Sequence, residues 1–219
     1  ISHQVSVADR EGYIVVFPNG SSPFKSGKLA TWNAGNCCAF ARDQKIDDVG
    51  FIKAVLKNLT AQLNVDQAKV FADGMSNGGM MSYRLACEAA DICKAIASVA
   101  GTDVTTSCSP KNPISILHIH AQDDDHVLFN GGAGKNAFPD RSMVTEFTSV
   151  PDTISKWSKL NGCEGKAERF LQKPGYYCEK FAKCKATVQL QLCVTETGGH
   201  SWPGGKNPRR GKADPSDAF

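Results

Sequence analysis

The chain has 219 residues, of which 41% are hydrophobic and 21% are charged, with a formal net charge of +3. This length suits one hydrophobic core, so we predict a single domain spanning residues 1–219. No apolar run approaches the ~18 residues of a membrane-spanning helix, and the small net charge argues against a nucleic-acid partner, with the basic run Lys206–Lys212 predicted to be a solvated loop.

Hydrophobic periodicity predicts the first elements of the chain. The polar first residues are typical of the last turns of a helix that ends at Gly12, and the apolar run Gly12–Pro18 predicts a parallel strand buried on both faces. Asp47 and Asp48 then open an amphipathic helix, because apolar residues recur at every third or fourth position as far as Leu63.

Strands and helices alternate in the central part of the chain. The pattern predicts a strand within Ala68–Met75, a helix within Ser76–Ala90, and strands within Lys94–Gly101 and Ile114–His120. This alternation is typical of an α/β fold with a mostly parallel sheet and helices on both faces.

The C-terminal part is less regular. Residues 128–140 are predicted to be a surface excursion, and Pro151 and Asp152 open a helix that Gly162 closes. The cysteine-rich region from 163 to 184 favours no single element. Thr187–Glu196 alternates apolar and polar side chains, which predicts an edge strand with one solvated face.

Nine cysteines are more than packing requires, and they lack the paired CxxC spacing of a zinc site. We therefore predict disulfides and an exported protein. The cysteines form an early and a late group, which suggests local bridges, and the odd total leaves at least one thiol unpaired. The early group is Cys37, Cys38, Cys87, Cys93 and Cys108, and the late group is Cys163, Cys178, Cys184 and Cys193.

Ser76 is the candidate nucleophile. Residues 74–78 match the pattern G-x-S-x-G between a predicted strand and a predicted helix, which is the context that this motif requires. Gly74 and Gly78 are expected to leave room for a tight turn that lifts the serine hydroxyl from the sheet. The alternative is that Ser76 only caps the helix.

A serine nucleophile needs a histidine base and a carboxylate downstream. Among the five histidines, His200 is favoured because it follows the last predicted strand in a glycine-flanked loop. His3 precedes the serine, His118 and His120 are expected to be structural, and His126 lies in an acidic loop. The carboxylate is expected after the strand at 114–120, where periodicity cannot choose among Asp123, Asp124 and Asp125.

The adjacent aspartates could also suggest a calcium site. However, the alternating D-x-D-x-D spacing and the distal glutamate of a calcium loop are missing. We therefore predict no metal site and no cofactor.

Five segments occur in order from about Val5 to Gly205: ADREGYIVVFPNG, CCAFARDQKIDDVGFIKAVL, VFADGMSNGGMMSYRLAC, ILHIHAQDDDHVLFNGG and GGHSWPGG. These segments resemble secreted esterases grouped with polyhydroxybutyrate depolymerases, feruloyl esterases and acetylxylan esterases, which are α/β-hydrolases.

The resemblance implies roles for individual residues. Alignment of His120 and Val127 with a His-Gly-x-x-Asp-x-x-Val segment gives Asp124 the acid position, although Ala121 replaces the usual glycine. The His-x-Trp-Pro-Gly loop matches residues 200–204, and Trp202 is implied either to line the substrate pocket or to pack as an ordinary core residue.

The resemblance also implies an upstream strand and His-Gly loop that supply an oxyanion donor, and nothing in this sequence corresponds to them. The backbone N–H of Asn77 is the single donor that the motif supplies. The chain is therefore expected to be an α/β-hydrolase fold without its first strands and last helix, with an N-terminal part of the enzyme not represented and the C-terminus stopping at the helix-start signal of Pro215.

The resulting expectation is a secreted serine carboxylesterase that uses Ser76, Asp124 and His200. The resemblance implies feruloyl or acetyl esters of plant polysaccharide, or short-chain acyl esters, as substrates, with a polyhydroxyalkanoate depolymerase as an alternative. A serine peptidase of the same fold, and a catalytically impaired carbohydrate- or surface-binding module, are further alternatives. Oligomeric state is left open.

Overall fold

The computed structural model describes residues 2–138 and 146–203, so the basic run at 206–212 and the helix-start signal at Pro215 lie outside the described residues. The helices are α1 (Ser2–Glu11), α2 (Ala39–Asp43), α3 (Asp48–Gln62), α4 (Asn77–Glu88) and α5 (Val150–Leu160). The strands are β1 (Phe71–Met75), β2 (Ala95–Val99), β3 (Ser115–Ala121), β4 (Glu164–Lys173), β5 (Tyr176–Lys183) and β6 (Leu190–Thr195), and a 3₁₀ turn at Lys185–Thr187 precedes β6.

The strands form one six-stranded sheet in the order β1-β2-β3-β6-β5-β4. The pairs β1–β2, β2–β3 and β3–β6 are parallel, whereas β5 and β4 are antiparallel additions beyond β6. The predicted mostly parallel α/β sheet is therefore confirmed. Because β1, β2, β3 and β6 run in the same direction, their carboxyl ends meet at one edge of the sheet.

One face of the sheet carries the main core. Register aligns Ile96 of β2, Ile116 of β3 and Leu190 of β6, and all are buried. Tyr83 of α4 and Trp157 of α5, both fully buried, pack on this row. Full burial of such side chains stabilises the fold by about 1.5–3 kcal/mol each.

Helix α1 contacts the opposite face through one hydrogen bond. Asp73 of β1 alternates with Ala72, which packs in the main core, and the Asp73 carboxylate accepts a hydrogen bond from the Gln4 side chain of α1. Helices therefore contact both faces of the sheet, as predicted.

The helix boundaries follow the predicted signals. Gly12, with a φ of +72°, ends α1, and the Asp47 side chain caps α3 by accepting the Gly50 N–H at 2.8 Å. Ser149, which precedes Pro151 in the chain, caps α5 by accepting the Asp152 N–H at 3.0 Å. In the part of the chain that the structure describes, no helix combines the length and the apolar character needed to cross a membrane.

The prediction of a buried strand at Gly12–Pro18 is wrong. Residues 13–20 contain no regular strand, and the side chains of Tyr13, Ile14 and Val16 are 50%, 53% and 44% exposed. A strand exists only where a neighbour accepts its backbone hydrogen bonds. Within residues 2–138 and 146–203, no strand runs beside this segment to do so.

The prediction of an edge strand at Thr187–Glu196 is also wrong, because β6 lies between β3 and β5. The cysteine-rich region that favoured no element forms the hairpin of β4 and β5, which covers the free side of β6. Cys178 and Cys193 face each other across β5 and β6 and are joined by a disulfide.

Cysteine pairing follows the predicted early and late groups. The disulfides are Cys37–Cys38, Cys87–Cys108, Cys163–Cys184 and Cys178–Cys193. Cys93 is the free thiol of the described residues, and burial raises its pKa to about 11, so it is poorly reactive at neutral pH.

Candidate active site

The sequence-predicted site residues follow strands that end at the same edge of the sheet. Ser76 directly follows β1, Asp124 lies in the loop after β3, and His200 lies in the loop after β6. Strands β3 and β6 are hydrogen-bonded neighbours, and β2 separates β1 from β3. Ligand sites of open parallel sheets lie beyond these carboxyl ends.

Ser76 has the backbone conformation expected of a nucleophile on a strained turn. Its φ of 56° and ψ of −124° place a non-glycine residue in a sparsely populated region between β1 and α4. The hydroxyl makes no capping hydrogen bond to α4, and the residue is half-buried. The capping alternative therefore has no support from the geometry.

Glycines pack tightly around this turn, although not all of those predicted to do so. A Cβ on Gly74 would overlap the Gly78 carbonyl, and a Cβ on Gly101 would overlap the Ser76 carbonyl. The expectation for Gly78 is wrong, because a Cβ there would meet no atom within 4 Å. Gly79, where a Cβ would collide with the Ser98 hydroxyl, is the second tightly packed glycine of the motif region.

Asn77 begins α4 and connects it to an upstream loop. Its side-chain amide donates to the Trp32 carbonyl at 2.9 Å, and its side-chain oxygen accepts the Trp32 N–H at 2.7 Å. As the first residue of the helix, Asn77 has a backbone N–H with no acceptor within the helix. That N–H can stabilise negative charge near Ser76.

Asp124 and His200 are hydrogen-bonded. The Nδ1 of His200 donates to the Asp124 carboxylate, at 2.9 Å from Oδ2 and 3.1 Å from Oδ1. The backbone N–H groups of His126 and Val127 donate to Oδ1 at 2.8 and 3.0 Å. Burial raises the pKa of Asp124, but the hydrogen bonds from His120 and His200 outweigh this effect and hold the pKa well below its usual range. Asp124 is thus a buried, ionised and fixed acceptor.

The neighbouring aspartates have different partners. Asp123 accepts the Gly199 N–H at 2.7 Å, and this hydrogen bond holds the loop that carries His200. Asp125 bonds Nδ1 of His126 at 2.7 Å. Of the three aspartates that periodicity left open, Asp124 is the one whose side chain bonds His200 in the described residues.

A buried hydrogen-bond chain leads from the core to Asp124. The Tyr83 hydroxyl lies 2.8 Å from Nδ1 of His118, and Nε2 of His118 lies 3.1 Å from Nδ1 of His120. Nε2 of His120 contacts the Val127 carbonyl at 2.8 Å and Asp124 Oδ2 at 3.3 Å. Because a carbonyl only accepts, neutral rings place the hydrogens so that each group donates toward Asp124.

The protonation of His118 agrees with this arrangement, since burial lowers its pKa well below the ordinary histidine value and keeps the ring neutral. Sequence reasoning anticipated structural roles for His118 and His120 but missed Tyr83, which lies two helical turns beyond Ser76. The period-2 spacing of the two histidines on one strand face was the available signal.

The remaining predicted contacts are only partly made. Among the described residues, no hydrogen bond joins the Ser76 hydroxyl to His200. Catalytic hydrogen bonds are often long before substrate binds. The His200 ring instead stacks on His126, with ring centroids 4.5 Å apart. The Trp202 side chain is 36% exposed, so a role as a buried core residue does not fit.

The sequence profile of the prolyl oligopeptidase family matches residues 1–114, which is more than half of the chain. The chain belongs to this family. It is also similar to esterases: it is 31% identical over 211 residues to feruloyl esterase B of Piromyces equi, covering 94% of this chain and 37% of that protein. A bifunctional acetylxylan esterase/xylanase of Neocallimastix patriciarum is 27% identical over 57% of this chain and 16% of its own length.

The fold of this prolyl oligopeptidase family member is that of the α/β-hydrolases. The solved structure of an acetyl xylan esterase from Aspergillus awamori superimposes with a TM-score of 0.60 at 15% identity, covering 90% of this chain and 76% of that one. The chain spans well under half the length of the two curated relatives named above.

Proposed function

We propose that the chain carries the catalytic site of a serine carboxylesterase, with Ser76 as nucleophile, His200 as base and Asp124 as the orienting acid. The observation that supports this assignment most strongly is the buried Asp124–His200 hydrogen bond at the sheet edge that also carries Ser76 on its strained turn. The esterase names of the relatives support ester rather than amide substrates.

In the proposed reaction, Ser76 attacks the ester carbonyl while Nε2 of His200 takes its proton. Asp124 holds Nδ1–H of His200, which fixes the tautomer and stabilises the imidazolium that forms. The alcohol then leaves with the proton from His200. Water attacks the acyl-enzyme in the same way and regenerates Ser76. No metal or cofactor takes part in this mechanism.

The backbone N–H of Asn77 is the proposed oxyanion donor. It lies directly after the nucleophile at the start of α4, where the helix dipole also favours negative charge. One such donor contributes on the order of 3 kcal/mol of transition-state stabilisation. The two hydrogen bonds between the Asn77 side chain and the Trp32 backbone would keep this N–H in place.

The proposed substrates are feruloyl or acetyl esters of plant polysaccharide, or short-chain acyl esters, with polyhydroxyalkanoate as the alternative. Trp202, which follows His200 on the same loop, is proposed to contact the acyl or alcohol group. The disulfides support an extracellular location, because such bonds persist in oxidising compartments.

Turnover of p-nitrophenyl acetate tests the proposal. Ser76→Ala is expected to lower kcat on the order of 10⁴-fold or more, whereas the exposed Ser109→Ala is expected to have no effect. If Ser76→Ala left the rate unchanged, the nucleophile assignment would be wrong. Binding to xylan without turnover would favour the binding module, and faster cleavage of a matched p-nitroanilide would favour the peptidase.

A further inference from the structure

Two aspartate–histidine pairs lie side by side at the candidate site. Asp124 bonds Nδ1 of His200, and Asp125 bonds Nδ1 of His126. The two imidazole rings are stacked, with an interplanar angle of 15° and centroids 4.5 Å apart. Ester hydrolysis as proposed above uses one of these pairs and leaves the second without a role.

The two pairs also bring metal-ligating atoms together. One nitrogen from each imidazole and one Asp124 carboxylate oxygen all lie within 4.8 Å of one another. Two imidazoles and a carboxylate form a donor set that Zn²⁺ accepts in proteins, usually with a water as the fourth ligand. We propose that Asp124, His126 and His200 form an inhibitory zinc site that captures the catalytic base.

The required movement is small. Ligand atoms of a tetrahedral zinc site lie about 3.4 Å apart when each is about 2.1 Å from the metal. The His126 side chain is 35% exposed and can approach His200, which is more buried at 12%. Asp124 is fixed by the backbone N–H groups of His126 and Val127, so it acts as the stationary member of the site.

Asp125 orients the His126 ring of the proposed zinc site. A carboxylate that bonds one imidazole nitrogen orients the ring and raises its basicity, and losing such a partner commonly weakens metal binding about 10–100-fold. The Asp125–His126 hydrogen bond of 2.7 Å has this form.

Zinc bound here would inhibit turnover with either nitrogen of His200 as the ligand. At Nε2, zinc would occupy the lone pair of the base; at Nδ1, it would replace the hydrogen bond to Asp124 and leave the ring proton on Nε2, which then could not accept another. This consequence rests on the proposed function, in which His200 is the base. Zinc binding itself rests only on the geometry of the three side chains, so the two ideas can fail separately.

The experiment is a calorimetric titration of the chain, without an affinity tag, with ZnCl₂ in a non-chelating buffer, together with p-nitrophenyl acetate turnover at each zinc concentration. His126→Phe keeps a ring that can stack on His200 but removes both nitrogens. Asp125→Asn keeps His126 and weakens its orientation. Glu196→Gln removes an exposed acid outside the cluster as the matched control.

We expect one saturable zinc ion per chain, and inhibition that follows zinc occupancy and is reversed by EDTA. The dissociation constant should rise at least about tenfold in His126→Phe and in Asp125→Asn, and stay unchanged in Glu196→Gln. Absence of saturable binding, or a dissociation constant equal to that of the native protein in His126→Phe or in Asp125→Asn, would overturn the zinc site. If the zinc-free protein turned over no ester but still bound zinc, the proposed function would be refuted and the zinc site would stand.

Discussion

Asp124→Asn should distinguish the role of Asp124 from the roles of its neighbours Asp123 and Asp125. In the native protein, Oδ1 accepts the backbone N–H groups of His126 and Val127, while Oδ2 accepts from His120 and His200. An asparagine amide must place its NH₂ group on one of these two sides. Either orientation turns a donor toward N–H groups, so at least one buried hydrogen bond is lost.

The expected magnitude follows from this conflict. If the NH₂ group faces His200, the imidazole loses its fixed tautomer, and kcat/KM should fall on the order of 10⁴-fold, which is about 5 kcal/mol. If it faces the backbone, unpaired N–H groups should lower the free energy of unfolding by about 1–3 kcal/mol. Both losses can be measured, by p-nitrophenyl acetate kinetics and by urea unfolding.

Matched controls come from the neighbouring residues. Asp123→Asn retains an oxygen that can accept the Gly199 N–H, and Asp125→Asn retains one near His126, so each should change kcat/KM by less than about tenfold. The reasoning would be refuted if Asp124→Asn kept more than about a hundredth of native kcat/KM with no loss in the free energy of unfolding, or if either neighbour caused an equal loss.

Three further predictions concern stability. Tyr83→Phe leaves Nδ1 of His118 without its donor and should lower the free energy of unfolding by about 1–3 kcal/mol in urea; an unchanged midpoint would contradict the hydrogen-bond chain. Removal of Cys163–Cys184, whose partners are 21 residues apart, should cost about 3 kcal/mol in a thermal melt. The lowered pKa of Asp124 means that its carboxylate stabilises the fold above the ordinary carboxyl range, and that this contribution is lost as pH falls below about 4; Asp124→Asn should flatten this acid-side loss of Tm, and an equally steep loss would refute the assignment.

The parts of the fold that sequence predicts well are those that local chemistry decides. Gly12 ends α1 because a left-handed conformation is needed there, and Asp47 caps α3 through its own side chain. The strand and helix that flank Ser76 are specified by apolar periodicity. Each of these signals operates within a few residues of the structure it determines.

The parts that sequence predicts poorly depend on distant partners. The apolar run Gly12–Pro18 has strand character, but among the described residues no strand lies beside it. The run at β6 alternates as a strand with one solvated face does, although the β4–β5 hairpin pairs with its free side. Neither fact is encoded in the segment itself.

In the candidate site too, some features follow from local sequence and others depend on distant partners. The motif around Ser76 is local, and the choice of His200 came from its place after the last strand. Asp124 could be chosen only by resemblance, because the three aspartates differ solely in what they contact. The stacking of His126 on His200 joins two loops that are far apart in sequence and had no signal.

The hydrogen-bond chain from Tyr83 through His118 and His120 has an electrostatic consequence. If both rings are neutral, each group points its hydrogen toward the next, so the chain forms an aligned row of dipoles with its positive end at Asp124. The core thus adds to the stabilisation of the carboxylate charge that the hydrogen bond from His200 provides. Since mobile ions do not reach buried dipoles, this stabilisation should persist at high ionic strength, where exposed ion pairs such as Arg10–Glu11 are screened.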